Sequence, residues 1–147
     1  MMDVKVLGAF EKVDFKQFGI KNVDAKIDSG AYTGALHCTN IEKEVTPKGA
    51  VLHFSPFDYP DLKITVKDFY ASHVRSSNGK REKRYFIKTF IVLQGETYEI
   101  LISLADRSSM KWPVIIGRRF LRKHKFLVDV TKPYKPLKNM KVVTEKP

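Results

Sequence analysis

The stretch Ala25-Lys26-Ile27-Asp28-Ser29-Gly30-Ala31-Tyr32-Thr33-Gly34-Ala35-Leu36 decides how this chain is read. Val23, Ala25 and Ile27 alternate with polar residues, the period of a half-buried strand, and that strand runs out on Asp28-Ser29-Gly30. A carboxylate at a strand end needs neighbours before it can do chemistry. Here a hydroxyl beside it can anchor the turn, and a glycine lets a second backbone come close. Asp-x-Gly alone is also ordinary turn chemistry, so its company matters. Val114-Ile115-Ile116-Gly117 repeats the apolar ending on glycine, and Arg118-Arg119-Phe120-Leu121 after it predicts a short helix over 118–123.

Elsewhere the pattern is mostly β. Segments 4–15, 23–28, 35–41, 50–54, 62–74, 85–92 and 97–104 carry β-branched and aromatic residues, often alternating, between polar or Gly/Pro turns. Ser77-Asn78-Gly79 and Gln94-Gly95-Glu96 are the clearest hairpin signals. Six or seven short strands predict a closed or sandwich-like β fold. No repeat or linker interrupts the chain, so one domain over 1–132 is expected. From Lys132 onward Pro133, Pro136, Pro147 and five lysines predict a basic, extended or disordered tail over 133–147.

Composition narrows the class. At 147 residues the chain can bury a real core. It has no run of about 18 apolar residues, and Met1-Met2-Asp3-Val4-Lys5 lacks the pattern of a signal peptide. The single Cys38 excludes an intrachain disulfide. A cytoplasmic location and no membrane partner are therefore expected. The 27 Lys+Arg against 16 Asp+Glu give a net charge of +11, which predicts an anionic partner. An acidic peptide, a ribosomal surface or nucleic acid would each satisfy that sign.

The Asp28 turn, the Val114–Gly117 strand and the helix after it resemble the retropepsin-like aspartic peptidases. The likeness is closer still to a bacterial and archaeal branch that goes by the name of ATP-dependent zinc proteases. That branch is associated with the enzyme that ligates glutamates to a ribosomal protein. Further matching motifs are Arg84-Tyr85 in a hairpin, Asp106-Arg107-Ser108-Ser109-Met110, and Phe126-Leu127-Val128-Asp129; together they cover about residues 3 to 132. Tyr32 and Gly34 depart from the pattern, which has a basic residue and Ser or Thr there.

The resemblance implies a closed β-barrel with one short helix and a catalytic Asp28-Ser29-Gly30. Ala31, Ile115, Ile116, Gly117 and Arg118 would support that turn. Amide hydrolysis by carboxylates needs two of them, one ionised and one protonated. This sequence supplies only one such turn, so a single copy is insufficient. The resembled family implies a homodimer in which two copies of Asp28 meet on a two-fold axis, with Ser29 bonding across it. The hairpin around residues 76–79 is the candidate flap that excludes water. Arg84 and Tyr85 at its base, and Arg107, are the candidate substrate-binding residues. Strand alternation puts Arg84 and Tyr85 on opposite faces, so only one can point into a given cleft, and Arg84 is the one expected there.

Neither zinc nor ATP is expected as a cofactor, despite the name of the resembled branch. There is no His-Glu-x-x-His, no paired Cys-x-x-Cys and no phosphate-binding Gly-rich loop. His37 reads as a core histidine or one that supports the site from behind. The substrate class that fits is an acidic or ribosome-associated protein, including one that carries glutamate adducts. A second reading is an inactive basic β module that binds RNA or a ribosomal surface. It is disfavoured because most aromatics fall at alternating apolar positions that look buried.

Overall fold

A computed structural model describes residues 4–75, 79–106 and 111–133. In chain order the elements are β1 (Lys5–Gly8), β2 (Phe10–Phe15), a 3-10 turn at Lys16–Phe18, β3 (Ile20–Asp28), β4 (Gly34–Thr46) and β5 (Gly49–Pro56). There follow β6 (Ile64–Val66), β7 (Phe69–Arg75), β8 (Arg81–Leu93), β9 (Glu96–Ala105), β10 (Val114–Gly117), α1 (Arg118–Lys123) and β11 (Phe126–Asp129). The fold is mostly β with one short helix, as the sequence pattern predicts.

The short strand β10 organises the sheet. It runs parallel to β3, with Val114 opposite Ala25 and Gly117 opposite Asp28, and antiparallel to β4, with Ile116 opposite Gly34. From β3 the ladder continues through β2, β8 and β9 to β4, so the pairings form a ring that β10 completes. Inward residues of the ring make the core: Val13 and Phe15 on β2, Ala25 and Ile27 on β3, Ile87 and Ile91 on β8, Ile102 and Leu104 on β9, and Ile116 on β10 are all buried. Phe15 stacks on Phe18, with ring centroids 5.3 Å apart, and Phe18 meets Phe54 edge-on.

Two expected strands are each divided in two. The segment 4–15 breaks after Gly8, whose N–H donates to the Glu11 carboxylate at 2.7 Å, while Ala9 N–H donates to the Lys132 carbonyl at 2.6 Å. This break sends β1 out of the ring to pair in parallel with β11. The segment 62–74 divides because β6 bonds to β5 whereas β7 bonds to β8. Alternation within one run does not reveal a change of partner. The far half of β4 pairs with β5 alone, and residues 42–45 there are mostly exposed. Among the described residues no helix is long and apolar enough to cross a membrane. Most of the expected tail, 134–147, lies outside the described residues.

Beside α1, His124 packs against Tyr98, Phe120 and Phe126, and its Nε2 is buried without a hydrogen-bond partner. Burial pushes its pKa down, and Lys123 and Lys5 add to that, against a bond with the Glu99 backbone. A histidine depressed in the folded state stabilises the fold above its unfolded pKa, and that contribution is lost as pH falls. His124→Phe should therefore flatten the decline in stability between about pH 7 and pH 5, read by urea titration at each pH. An unchanged slope would show that His124 does not carry the effect.

Candidate active site

β3 delivers Asp28, half-buried, to the point where β10 ends at Gly117. The chain turns at once: Gly30 N–H donates to Asp28 Oδ1 at 2.9 Å, and Ala31 N–H donates to the Asp28 carbonyl at 3.1 Å. One carboxylate oxygen is thus fixed by the turn itself. Ser29 and Gly30 are exposed at its tip.

Helix α1 holds this loop from behind. Its first amides have no partner within the helix; Arg118 N–H donates to the Ala31 carbonyl at 2.8 Å and Arg119 N–H to the Tyr32 carbonyl at 3.0 Å. The Arg118 guanidinium adds bonds from Nη1 to the carbonyls of Gly30, 3.2 Å, and Ser29, 3.4 Å, and lies 5.2 Å from the Tyr32 ring centroid. Tyr32, one of the departures from the resembled pattern, is the surface on which Arg118 rests. Two glycines allow the approach. A Cβ on Gly117 would stand 2.6 Å from the Tyr32 carbonyl oxygen, and one on Gly34 would stand 2.3 Å from that of Ile115. Ser103 Oγ donates to the Gly34 carbonyl at 2.7 Å and fixes the loop's far end.

In front of the turn lies a cleft of about 570 Å³. Asp28, Gly30, Ala31, Gly34 and Ile115 line its floor, and Val74, Arg75, Arg84 and Phe86 line it from the β7–β8 hairpin. Lys26, Lys111 and Trp112 form the third side. Trp112 is stacked on Phe10, with ring centroids 4.3 Å apart. Of the cations, Arg84 has a carboxylate neighbour, Glu82, at 3.3 Å. Asp28 is the only carboxylate lining the cleft among the described residues.

The turn residues Asp28 to Ala31, together with Ile115 to Arg118, are therefore gathered in one place, and Arg84 faces them across the cleft. Tyr85 is not among the lining residues; it meets Phe69 edge-on, and Lys83 stands over its ring at 5.3 Å. Arg107 and the flap tip 76–78 lie outside the described residues. Sequence reasoning passed over Lys26, Arg75, Lys111 and Trp112. Lys26 was within reach, because residues i and i+2 of a strand share a face and Asp28 is two positions on. Arg75 required the hairpin register that sets it opposite Arg81.

His37 is buried, with Nε2 3.1 Å from an Asp58 carboxylate oxygen and Nδ1 3.8 Å from Asp106 Oδ1. Cys38 beside it is also buried, and that burial pushes its thiol up to about 12, which leaves it unreactive. Among the described residues no group of three His, Cys, Asp or Glu side chains is placed to hold a metal ion.

A family model described as the retropepsin-like aspartic endopeptidase RimB, of the RimB-like type, matches residues 6–138. The chain belongs to the RimB-like family. Probable alpha-L-glutamate ligases of Shewanella pealeana and Shewanella halifaxensis are each 30% identical to it over 134 residues. The match takes in 88% of this chain and 29% of each ligase, so the chain spans under a third of the length of these relatives. A crystal structure of a Legionella pneumophila protein of unknown function has the same fold, with a TM-score of 0.69 over 88% of this chain and 95% of that one at 22% identity.

Proposed function

We propose that this RimB-like chain is an aspartic peptidase that hydrolyses amide bonds in an acidic protein, with a dyad made of Asp28 from two copies. The observation that carries this reading is the exposed Asp28 turn. One carboxylate oxygen is held by Gly30 N–H, and the loop is braced by α1 and by Gly117. A rigid, accessible carboxylate at the floor of a cleft is what general acid–base catalysis requires.

Two such carboxylates brought together share one proton, because both cannot be ionised at that range. The ionised one takes a proton from water as the water oxygen attacks the amide carbon. The protonated one hydrogen-bonds the carbonyl oxygen and gives its proton as charge develops there. Collapse of the tetrahedral adduct breaks the C–N bond: the nitrogen leaves with the proton taken from water, and one hydroxyl returns its proton to the other carboxylate, which restores the singly protonated dyad. Ring closure of the sheet into a barrel would hold both turns rigid through this sequence.

The cations Lys26, Arg75, Arg84 and Lys111 around Asp28 favour a substrate with carboxylate side chains. Relatives in which a matching segment forms part of a probable glutamate ligase point to the same chemistry. A protein bearing added glutamates, on a ribosome or elsewhere, is the substrate this reading names.

The test incubates the protein with a peptide ending in several glutamates and follows product masses. Shortened products from wild type and none from Asp28→Asn are expected; equal products from both, or none from either, would overturn the reading. Arg84→Gln should raise KM for that peptide by roughly tenfold at about 50 mM salt, less in high salt, with kcat little changed. An unchanged KM would remove Arg84 from substrate binding.

A further inference from the structure

The two cavities that flank the Asp28 turn are lined mostly by cations, although Glu82 stands 3.3 Å from Arg84. In front of the turn the cleft is lined by Lys26, Arg75, Arg84 and Lys111. Beside it a second hollow, of about 470 Å³, is bounded by Ser29 and by α1 and β11, and Arg118, Arg122 and Lys125 line it. Asp28 is the only carboxylate lining either cavity among the described residues. No ion pair to Arg122 or Lys125 occurs among those residues, and both are exposed.

A second copy that brings its own Asp28 to this one must approach on the face where Ser29 and Gly30 are exposed. Two such cation sets then border one shared site, where charges interact over roughly the 10 Å Debye length of 0.1 M salt. Each chain also carries a net charge of +11. Like charges at that range oppose association. The same arrangement becomes attractive once a flexible anion lies between the two faces.

We propose that the dimer assembles on its acidic ligand: a glutamate-rich peptide bridges the cation sets of two copies and thereby completes the active site that cleaves it. The inference rests on the dimeric peptidase reading and adds that the ligand is an activator as well as a substrate. Its thermodynamic form is simple linkage, in which a ligand that binds the dimer better than the monomer shifts the equilibrium toward the dimer. The surface suits a thin peptide better than RNA. Tyr32 is capped by Arg118 and Arg119, and Trp112 is covered by Phe10, so these rings have a face already occupied where bases would stack.

The test uses full-length Asp28→Asn, which binds without cleaving, and measures mass by sedimentation at about 10 µM protein in about 50 mM salt. A monomer is expected alone. An oligoglutamate of about ten residues should lower the apparent dimer dissociation constant at least tenfold, and about 1 M NaCl should abolish that effect. The double variant Arg122→Ala, Lys125→Ala, altered only at exposed positions, should dimerise more readily without ligand and respond less to it.

A dimer that forms equally well without oligoglutamate, or a monomer in every condition, would overturn the proposal. So would promotion by single-stranded oligouridylate but not by oligoglutamate. Wild type tested for cleavage in parallel separates the two readings. Ligand-driven dimers of Asp28→Asn with no cleavage by wild type would sink the peptidase and leave ligand-driven assembly standing. Cleavage by a dimer indifferent to ligand would do the reverse.

Discussion

Gly117→Ala is expected to cost about 3 kcal/mol or more of stability and to lower the melting temperature by roughly 10 °C. The backbone at Gly117 has φ −89° and ψ 171°, a conformation alanine adopts freely, so no intrinsic strain enters. The whole effect comes from contact. A methyl there would meet the Tyr32 carbonyl oxygen at 2.6 Å, and Gly34 N and the Thr33 carbonyl carbon each at 2.8 Å. All three are backbone atoms of the loop that follows Asp28, and they cannot swing aside as a side-chain tip would. Relief requires that the loop retreat, which breaks the bonds from Arg118 and Arg119 amides to Ala31 and Tyr32.

Gly19→Ala is the internal control. Gly19 has a positive φ of 72°, but a methyl group there would meet no atom within 4 Å. Only the left-handed conformation is penalised, at about 1 kcal/mol. Thermal melting of the two variants separates close approach from backbone strain. A Gly117→Ala protein melting within about 2 °C of wild type would mean that the loop is not braced as described.

The same contrast explains what the sequence disclosed and what it hid. The Asp28 turn, the apolar strand ending on Gly117 and the helix after it are local patterns, and each lies where periodicity and glycine placement predict. The helix spans Arg118–Lys123 as expected. A closed β fold was expected, but the pairings that complete the ring were hidden, because they depend on four residues of β10 finding β3 on one side and β4 on the other, far away in the chain. The division of segment 4–15 was hidden for a similar reason. Its cause is the carbonyl of Lys132, which accepts Ala9 N–H at 2.6 Å and leaves no room for a side chain at residue 8.

Within the site, alternation made legible that only one of Arg84 and Tyr85 can line the cleft, but not which of them. The cations Arg75 and Lys111 were not legible, since a surface cation declares no direction until its neighbours are known. Trp112 is instructive because its ring is used twice, stacked on Phe10 and facing the cleft. No spacing rule in the chain connects residue 112 with residue 10. His37, adjacent to Cys38 in sequence, gave no hint of Asp58 and Asp106 on either side of it.

Asp28→Asn is expected to lower kcat by roughly 10³-fold or more while leaving the melting temperature nearly unchanged. Asparagine keeps the shape and can still accept Gly30 N–H through its amide oxygen, so the turn survives. It can neither take a proton from water nor give one to the departing nitrogen. The decisive form of this experiment mixes the variant with wild type at constant total protein. If each chain worked alone, activity would follow the wild-type fraction, and an equal mixture would keep about half. If two Asp28 side chains form one site, a mixed dimer has a single titrating carboxyl and loses the acid step. Random pairing then leaves about a quarter of the activity in an equal mixture, and the curve is quadratic in the wild-type fraction. Oligoglutamate is present throughout as substrate, and if the ligand drives assembly it also brings the dimers together in the assay. A linear curve would refute the shared dyad even where cleavage itself is real, because it would place the whole reaction within one chain.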